Sequence, residues 1–212
     1  MLLLQHIEGW VGRLMAWRSR KLQTETMLNL RWTILPPQFY ENLLDSVTKN
    51  VAMYGNGKLN PFPSFIEVDY VFFPLPLENR EWVLLRLELV TQELVIYACE
   101  DICVGEKYRN VIHPRLTKIA VYFGALLVHL RYWKKTGKPE KCMTFELNEE
   151  YMVSNSSLSG NEGVYLCMLM EHLVADKPII RSGQTIQNFL AYRRFMADKL
   201  YFWRCLPRPN LV

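Results

Sequence analysis

Five cysteines and four histidines are the side chains of this 212-residue chain best suited to serve as nucleophile, general base or soft metal ligand. A thiolate activated by an imidazole could attack a carbonyl, and Cys and His pairs at the right spacing could hold zinc. Neither pattern is complete. Cys167 stands in the middle of an apolar helical stretch, where a thiol is buried and inert. Cys99 and Cys103 lack a second Cys or His pair at zinc spacing, so no metal and no cofactor is expected. His6, His113, His129 and His172 are scattered, and His129 and His172 fall in mostly apolar helical segments suited to core or boundary roles. An odd number of cysteines without a repeating interval argues against a disulfide framework and for a reducing compartment.

The elements that must position any site can be read from periodicity. Ile7, Trp10, Val11, Leu14 and Met15 recur at helical spacing and predict an amphipathic first helix. Arg13, Arg18, Arg20 and Lys21 read as its solvated face, and no run of basic residues interleaves with aromatics as a nucleic-acid footprint would. The net charge of +4 is also too mild for one. Phe39, Leu43, Leu44 and Val47 predict a second helix, opened by Pro37. From Ile66 the pattern turns to strands. Ile66 to Phe73 is closed by Pro74 and Pro76; Trp82 to Leu89 alternates, and Glu93 to Ala98 follows after a short turn, predicting a hairpin. Helical spacing returns from Pro114 to Trp133, a strand is expected over Cys142 to Leu147, and two helices close the chain, Val164 to Val174 and Thr185 to Trp203. No repeat or domain boundary interrupts this, so a single α+β domain over 1–212 is expected. Its longest apolar stretch, Ile119 to Leu130, falls short of the roughly 20 residues a membrane helix needs. The chain therefore reads as soluble and intracellular, in nucleus or cytoplasm, a monomer engaging neither membrane nor nucleic acid.

Two segments carry a specific resemblance. One is the succession Val68-Asp69-Tyr70-Val71-Phe72-Phe73-Pro74, Glu81-Trp82-Val83-Leu84-Leu85 and Leu94-Val95-Ile96-Tyr97-Ala98. The other is Ser159-Gly160-Asn161-Glu162-Gly163-Val164-Tyr165-Leu166-Cys167. The sequence resembles, from about Ile7 to Trp203 and most weakly over Lys21 to Leu59, the catalytic domain of the ubiquitin-like-protein-specific (SUMO-type) cysteine proteases. That family has an Asp-x-Val-x-x-Pro strand, a His-Trp strand, a strand ending Tyr-Asp and a Gly-x-Asp-Cys-Gly-Val-Tyr/Phe stretch. The resemblance implies a papain-like α+β fold with a central mixed or antiparallel sheet packed by helices. The family's Trp-Leu-x-Asp element, usual upstream of the first helix, is not found here, so the resemblance leaves truncation at the N-terminus open.

Carried over residue by residue, the family's histidine falls on Glu81, because Trp82 follows it, and its aspartate on Ala98, after Tyr97. The nucleophilic cysteine falls on Glu162 before Gly163, and the oxyanion glutamine, six residues earlier, on Ser156. All four are lost. Glu162 lacks the nucleophilicity of a thiolate. Glu81 cannot cycle as an imidazole does near neutral pH, and Ala98 has nothing with which to orient it. A serine hydroxyl reaches less far than a glutamine amide. Losing one member of such a unit costs orders of magnitude in rate, and losing all should leave nothing specific. The resemblance places Glu81 and Glu162 at the mouth of a groove, as two solvated carboxylates rather than a pair sharing a proton.

The expected function is that of a pseudoprotease, which binds a SUMO-type ubiquitin-like modifier or a modified protein without cleaving it. Trp82 keeps the family's wall of the channel for the modifier's Gly-Gly tail. An active cysteine peptidase of the same family is the alternative, opposed by position 162. A non-enzymatic interaction module built on Trp10 and Trp17 is another, opposed by helical spacing that packs both inward. Diverged copies of this domain also travel in plant transposable elements, so decay without a retained role fits the resemblance too.

Overall fold

A computed structural model describes residues 4–24, 29–45, 49–77, 81–98, 105–147, 160–177 and 186–205. Its centre is a five-stranded mixed sheet whose spatial order, β1-β2-β3-β4-β5, is also the order in sequence. The strands are β1 (Trp32–Ile34), β2 (Tyr70–Pro76), β3 (Trp82–Glu88), β4 (Glu93–Tyr97) and β5 (Thr144–Leu147). β2, β3 and β4 are antiparallel neighbours, whereas β1 joins β2 and β5 joins β4 in parallel. The expected hairpin is present, with pairs running from Leu84–Tyr97 to Glu88–Glu93. Its turn holds Gln92 at φ 62°, a conformation unfavourable by about 1–2 kcal/mol for a residue with a Cβ. The buried Gln92 side chain offsets this by donating Nε2–H to the Leu89 carbonyl at 2.8 Å.

Helices cover both faces of this sheet. On one side Phe73 stacks against Phe123 of α4 (His113–His129), and Phe39 of α2 (Phe39–Asp45) contacts both rings. On the other side lies α6 (Glu162–Val174), with Tyr165, Leu166 and Leu169 beside Trp82 and Tyr97. Val164, Cys167, Met168 and Leu169 are all buried, as a helix apolar on most sides requires. α1 (Leu4–Thr24) packs behind α6 and is tied to it by the Trp10 indole, which donates to the Cys167 carbonyl at 3.1 Å. α7 (Ile186–Cys205) closes the same side: Trp203 and Leu200 lie against Gly12 and Gly9 of α1. Short helices α3 (Lys49–Gly55) and α5 (Tyr132–Thr136) complete the described elements.

Arg18, expected on the solvated face of α1, is buried and donates from Nε to the Leu30 carbonyl at 2.9 Å, and three further sequence expectations need correction. The segment from Ile66 is not one strand; Phe65–Glu67 forms a single helical turn, and β2 then runs through Pro74 and Pro76 instead of stopping at them. These prolines share the alternation of Tyr70 and Phe72, whose backbone groups face β1 through Tyr70 N–H to the Arg31 carbonyl and Leu35 N–H to the Phe72 carbonyl. β1 ends opposite Phe72, so the missing proline donors fall where no strand remains to accept them. β1 itself and α3 are additions, and Val47 lies outside the described residues.

The third correction concerns the helical run before β5, which starts not at Pro114 but at Gly105. A single turn, Gly105–Lys107, leads into a wider π turn, Tyr108–Ile112, in which the His113 N–H reaches back to the Tyr108 carbonyl. Pro114, which has no N–H to donate, follows directly on this wider turn as the second residue of α4. Arg131, at φ 55°, ends the run before α5. By length and hydropathy the span Gly105–His129 suffices to cross a membrane, more than its dozen contiguous apolar residues suggest. In this fold Leu116, Ile119, Phe123, Leu126 and Leu127 of α4 are fully enclosed in the core.

Candidate functional site

Where the start of β3, the end of β4 and the first turns of α6 meet, the surface dips into a shallow depression. Trp82, Tyr97, Ala98, Glu162, Tyr165, Leu166 and Leu169 line it. Three positions singled out in the sequence, 82, 98 and 162, are thus brought together from segments far apart in the chain. Trp82 opens β3 opposite Pro76 and is held almost wholly out of solvent by its neighbours. Ala98 follows the last residue of β4 and is buried, so the wall presents a methyl group there.

Glu162 begins α6. Gly160 takes φ 76°, a conformation glycine adopts without steric cost, and turns the chain into the helix. The Asn161 side chain is buried and accepts a hydrogen bond from Arg193 Nη2 at 2.5 Å, which anchors the helix start to α7. The Gly160 N–H donates to Glu162 Oε1 at 3.2 Å. That bond, and the positive end of the α6 dipole, favour a carboxylate at this place for reasons unrelated to catalysis.

Glu81 sits immediately before Trp82, yet its carboxylate does not line the depression. Both its oxygens lie 2.5 Å from Lys107 Nζ, and the pair is partly buried, with side-chain exposures of 16% for Glu81 and 34% for Lys107. Glu81 is therefore not the free solvated group expected from the sequence but an ion-paired one, whereas Glu162 stays partly open to solvent and accepts one exposed bond from its own helix start. Lys107 escapes sequence reasoning because it lies 26 residues from its partner in a segment with no motif. Ser156 lies outside the described residues, as do Cys99 and Cys103.

Among the described residues no cysteine or histidine lines the depression: Cys142 is exposed elsewhere and Cys167 is buried. Burial pushes the Cys167 thiol well above its ordinary range, and the Glu171 carboxylate nearby adds to the shift, so the thiolate is suppressed. Among the described residues no three His, Cys, Asp or Glu side chains converge as a metal site would need. Trp10 is fully enclosed and Trp17 stacks on Trp32, with ring centres 6.2 Å apart, so both pack the domain. A second hollow, bordered by Arg13, Trp17, Glu171 and Lys177, lies on the α1 side of α6. There the Tyr192 hydroxyl donates to Glu171 Oε2 at 2.7 Å, and burial holds that phenol far above its ordinary pKa.

Neither a protein-family model nor a curated protein matches this sequence. Solved structures do match. SUMO protease Ulp1, in a form with its catalytic cysteine oxidised to a sulfenic acid, is 18% identical at a TM-score of 0.62, covering 94% of this chain and 76% of its own. The Ulp1-like SUMO protease catalytic domain of Chaetomium thermophilum is 14% identical at a TM-score of 0.55, over 94% and 72%. XopD of Xanthomonas, described among ubiquitin-like protein proteases, is 15% identical at a TM-score of 0.51, over 94% and 99%. The fold is that of a SUMO protease catalytic domain. It is an α+β fold of papain-like type, with the mixed sheet between helices that the resemblance implied.

Proposed function

We propose that this chain is a catalytically silent domain of the ubiquitin-like protease type that recognises a SUMO-type modifier, or a protein carrying one, at the cleft beside Trp82. The observation that carries this reading is the shared depression of Trp82, Ala98 and Glu162. A carboxylate and a methyl group stand at the positions that the resemblance assigns to nucleophile and orienting acid, while the aromatic wall is kept. Acyl transfer needs a nucleophile within reach of a base. Glu162 is a poor nucleophile toward an amide, and Glu81 is held by Lys107. The scaffold is retained without the chemistry, and binding is the activity such a scaffold can still perform. Among the similar structures, the Ulp1 protease domain is seen in complex with Smt3, the yeast ortholog of SUMO, and XopD is seen bound to ubiquitin. These support a modifier as the class of partner; that a monomer meets it in the nucleus or cytoplasm is part of the proposal.

The test pairs an electrophilic probe with a binding assay. A SUMO-type modifier bearing a C-terminal vinyl sulfone should leave the chain unlabelled, while the unmodified protein modifier binds and Trp82→Ala weakens binding by at least about tenfold, the loss of a buried aromatic anchor. Labelling of any cysteine by the probe would refute silence. Binding that is absent, or indifferent to Trp82→Ala, would refute recognition. Restoring His, Asp, Gln and Cys at 81, 98, 156 and 162 together then asks whether the groove can still present a scissile bond.

A further inference from the structure

The helical run that starts at Gly105 touches the mouth of the depression twice. Lys107 Nζ holds both oxygens of Glu81. Eight residues further on, in the first turn of α4, Arg115 Nη1 donates to the Pro76 carbonyl at 2.6 Å. Pro76 and Trp82 face each other as the last pair of the β2–β3 ladder, and the Leu77 N–H closes on the Glu81 carbonyl at 2.9 Å. Two cations from one helical run therefore grip the same strand ends, one at position 81 and one opposite position 82. The Glu81–Lys107 pair is shielded enough for its charges to interact more strongly than a fully exposed pair would.

We propose that Lys107 is the positioning residue of this site: it locks Glu81 and, through it, the start of β3 beside the depression, and it makes position 81 incompatible with a catalytic base unless residue 107 changes too. This rests on the reading of position 81 as the place of the family's histidine. An imidazole introduced there would lose the counter-charge of the ammonium and face it as a like charge, which disfavours its protonated form. The charged groups that bear on the position are Lys107 itself, its neighbour Glu106, and Arg115 across the strand end. Four substitutions at the catalytic positions would therefore leave the restored base impaired, and Lys107 is the fifth position that must be altered.

Two measurements decide it, neither of which requires a modifier. In a double-mutant cycle, Glu81→Gln and Lys107→Met should each lower Tm, and the double variant should fall no further than the worse single one, with Lys107→Arg keeping most of the stability. Additive losses would overturn the lock. By NMR titration, the imidazole of E81H should titrate about one unit or more below the ordinary 6.5 and return toward it in E81H/K107M. An identical midpoint in the two backgrounds would overturn the proposal even if both proteins are stable, and should E81H fail to fold, the cycle decides. Loss of modifier recognition would leave both results unchanged, so this inference and the proposed function fail separately.

Discussion

The body of α6 and its first residue obey different constraints. Through its body, Val164, Leu166, Cys167, Leu169 and Met170 are enclosed by α1, α7 and the sheet, and each side chain is fixed by the volume around it. At its first residue, Glu162 meets solvent, one backbone N–H and a rim. Any residue that tolerates a helix start could occupy that place without disturbing the core. A fold can therefore keep its shape while its chemistry is exchanged, because packing determines the former and says little about the latter.

That contrast can be broken most forcefully in the interior. Phe123 stacks on Phe65 and Phe73 and meets Phe39 edge-on, all out of solvent. Phe123→Ala should cost about 3–5 kcal/mol in denaturant unfolding, enough to threaten the native state of a domain this size. Gly55→Ala comes next. A Cβ there would sit 2.5 Å from Leu130 Cδ1 and 2.8 Å from two atoms of the Phe65 ring, so a loss of about 1–3 kcal/mol is expected despite the better helix propensity of alanine.

At the mouth the effects should shrink. Glu162→Ala forfeits one hydrogen bond and a favourable dipole contact, and a loss of about 0.5–1 kcal/mol is expected. A cost approaching that of Phe123→Ala would mean that the mouth is structural after all, and the comparison would fall. The smallest effect belongs to the far end of the sheet, where Glu93 shares a hydrogen bond with Glu146 across β4 and β5 and is raised above the usual carboxylate range by it. A carboxyl raised in the folded state stabilises at low pH and loses that contribution as pH climbs through its folded pKa. Glu93→Gln should therefore raise Tm slightly at neutral pH, with the gain vanishing as pH falls below the carboxylate range.

How much of this was open to sequence reasoning depended on whether the signal was local. β3 and β4 were legible because Val83, Leu85 and Leu87 alternate with Leu84, Arg86 and Glu88, and because the turn between the strands is short. α6 was legible from its near-continuous apolar run. β1 was not: three residues, Trp32–Ile34, make no period, and only pairing with Tyr70–Phe72 makes them a strand. The prolines of β2 misled because a proline excludes a central strand but not a strand whose neighbour has already ended. At the site, Trp82, Ala98 and Glu162 could be placed through motif spacing. Lys107 could not, since nothing in residues 105 to 107 announces a partner at the start of β3.

The bond from the Trp10 indole to the Cys167 carbonyl spans 157 residues, and this separation matters while the chain is being made. At ribosomal rates of about 5–20 residues per second, α1 must wait roughly 8–30 s after its own synthesis before α6 emerges to receive it. For that interval Trp10 and Leu14 lack the cover that α6 gives them. The nascent chain therefore carries an adhesive stripe on α1, and it should depend on a chaperone that shields apolar segments until α6 has left the exit tunnel.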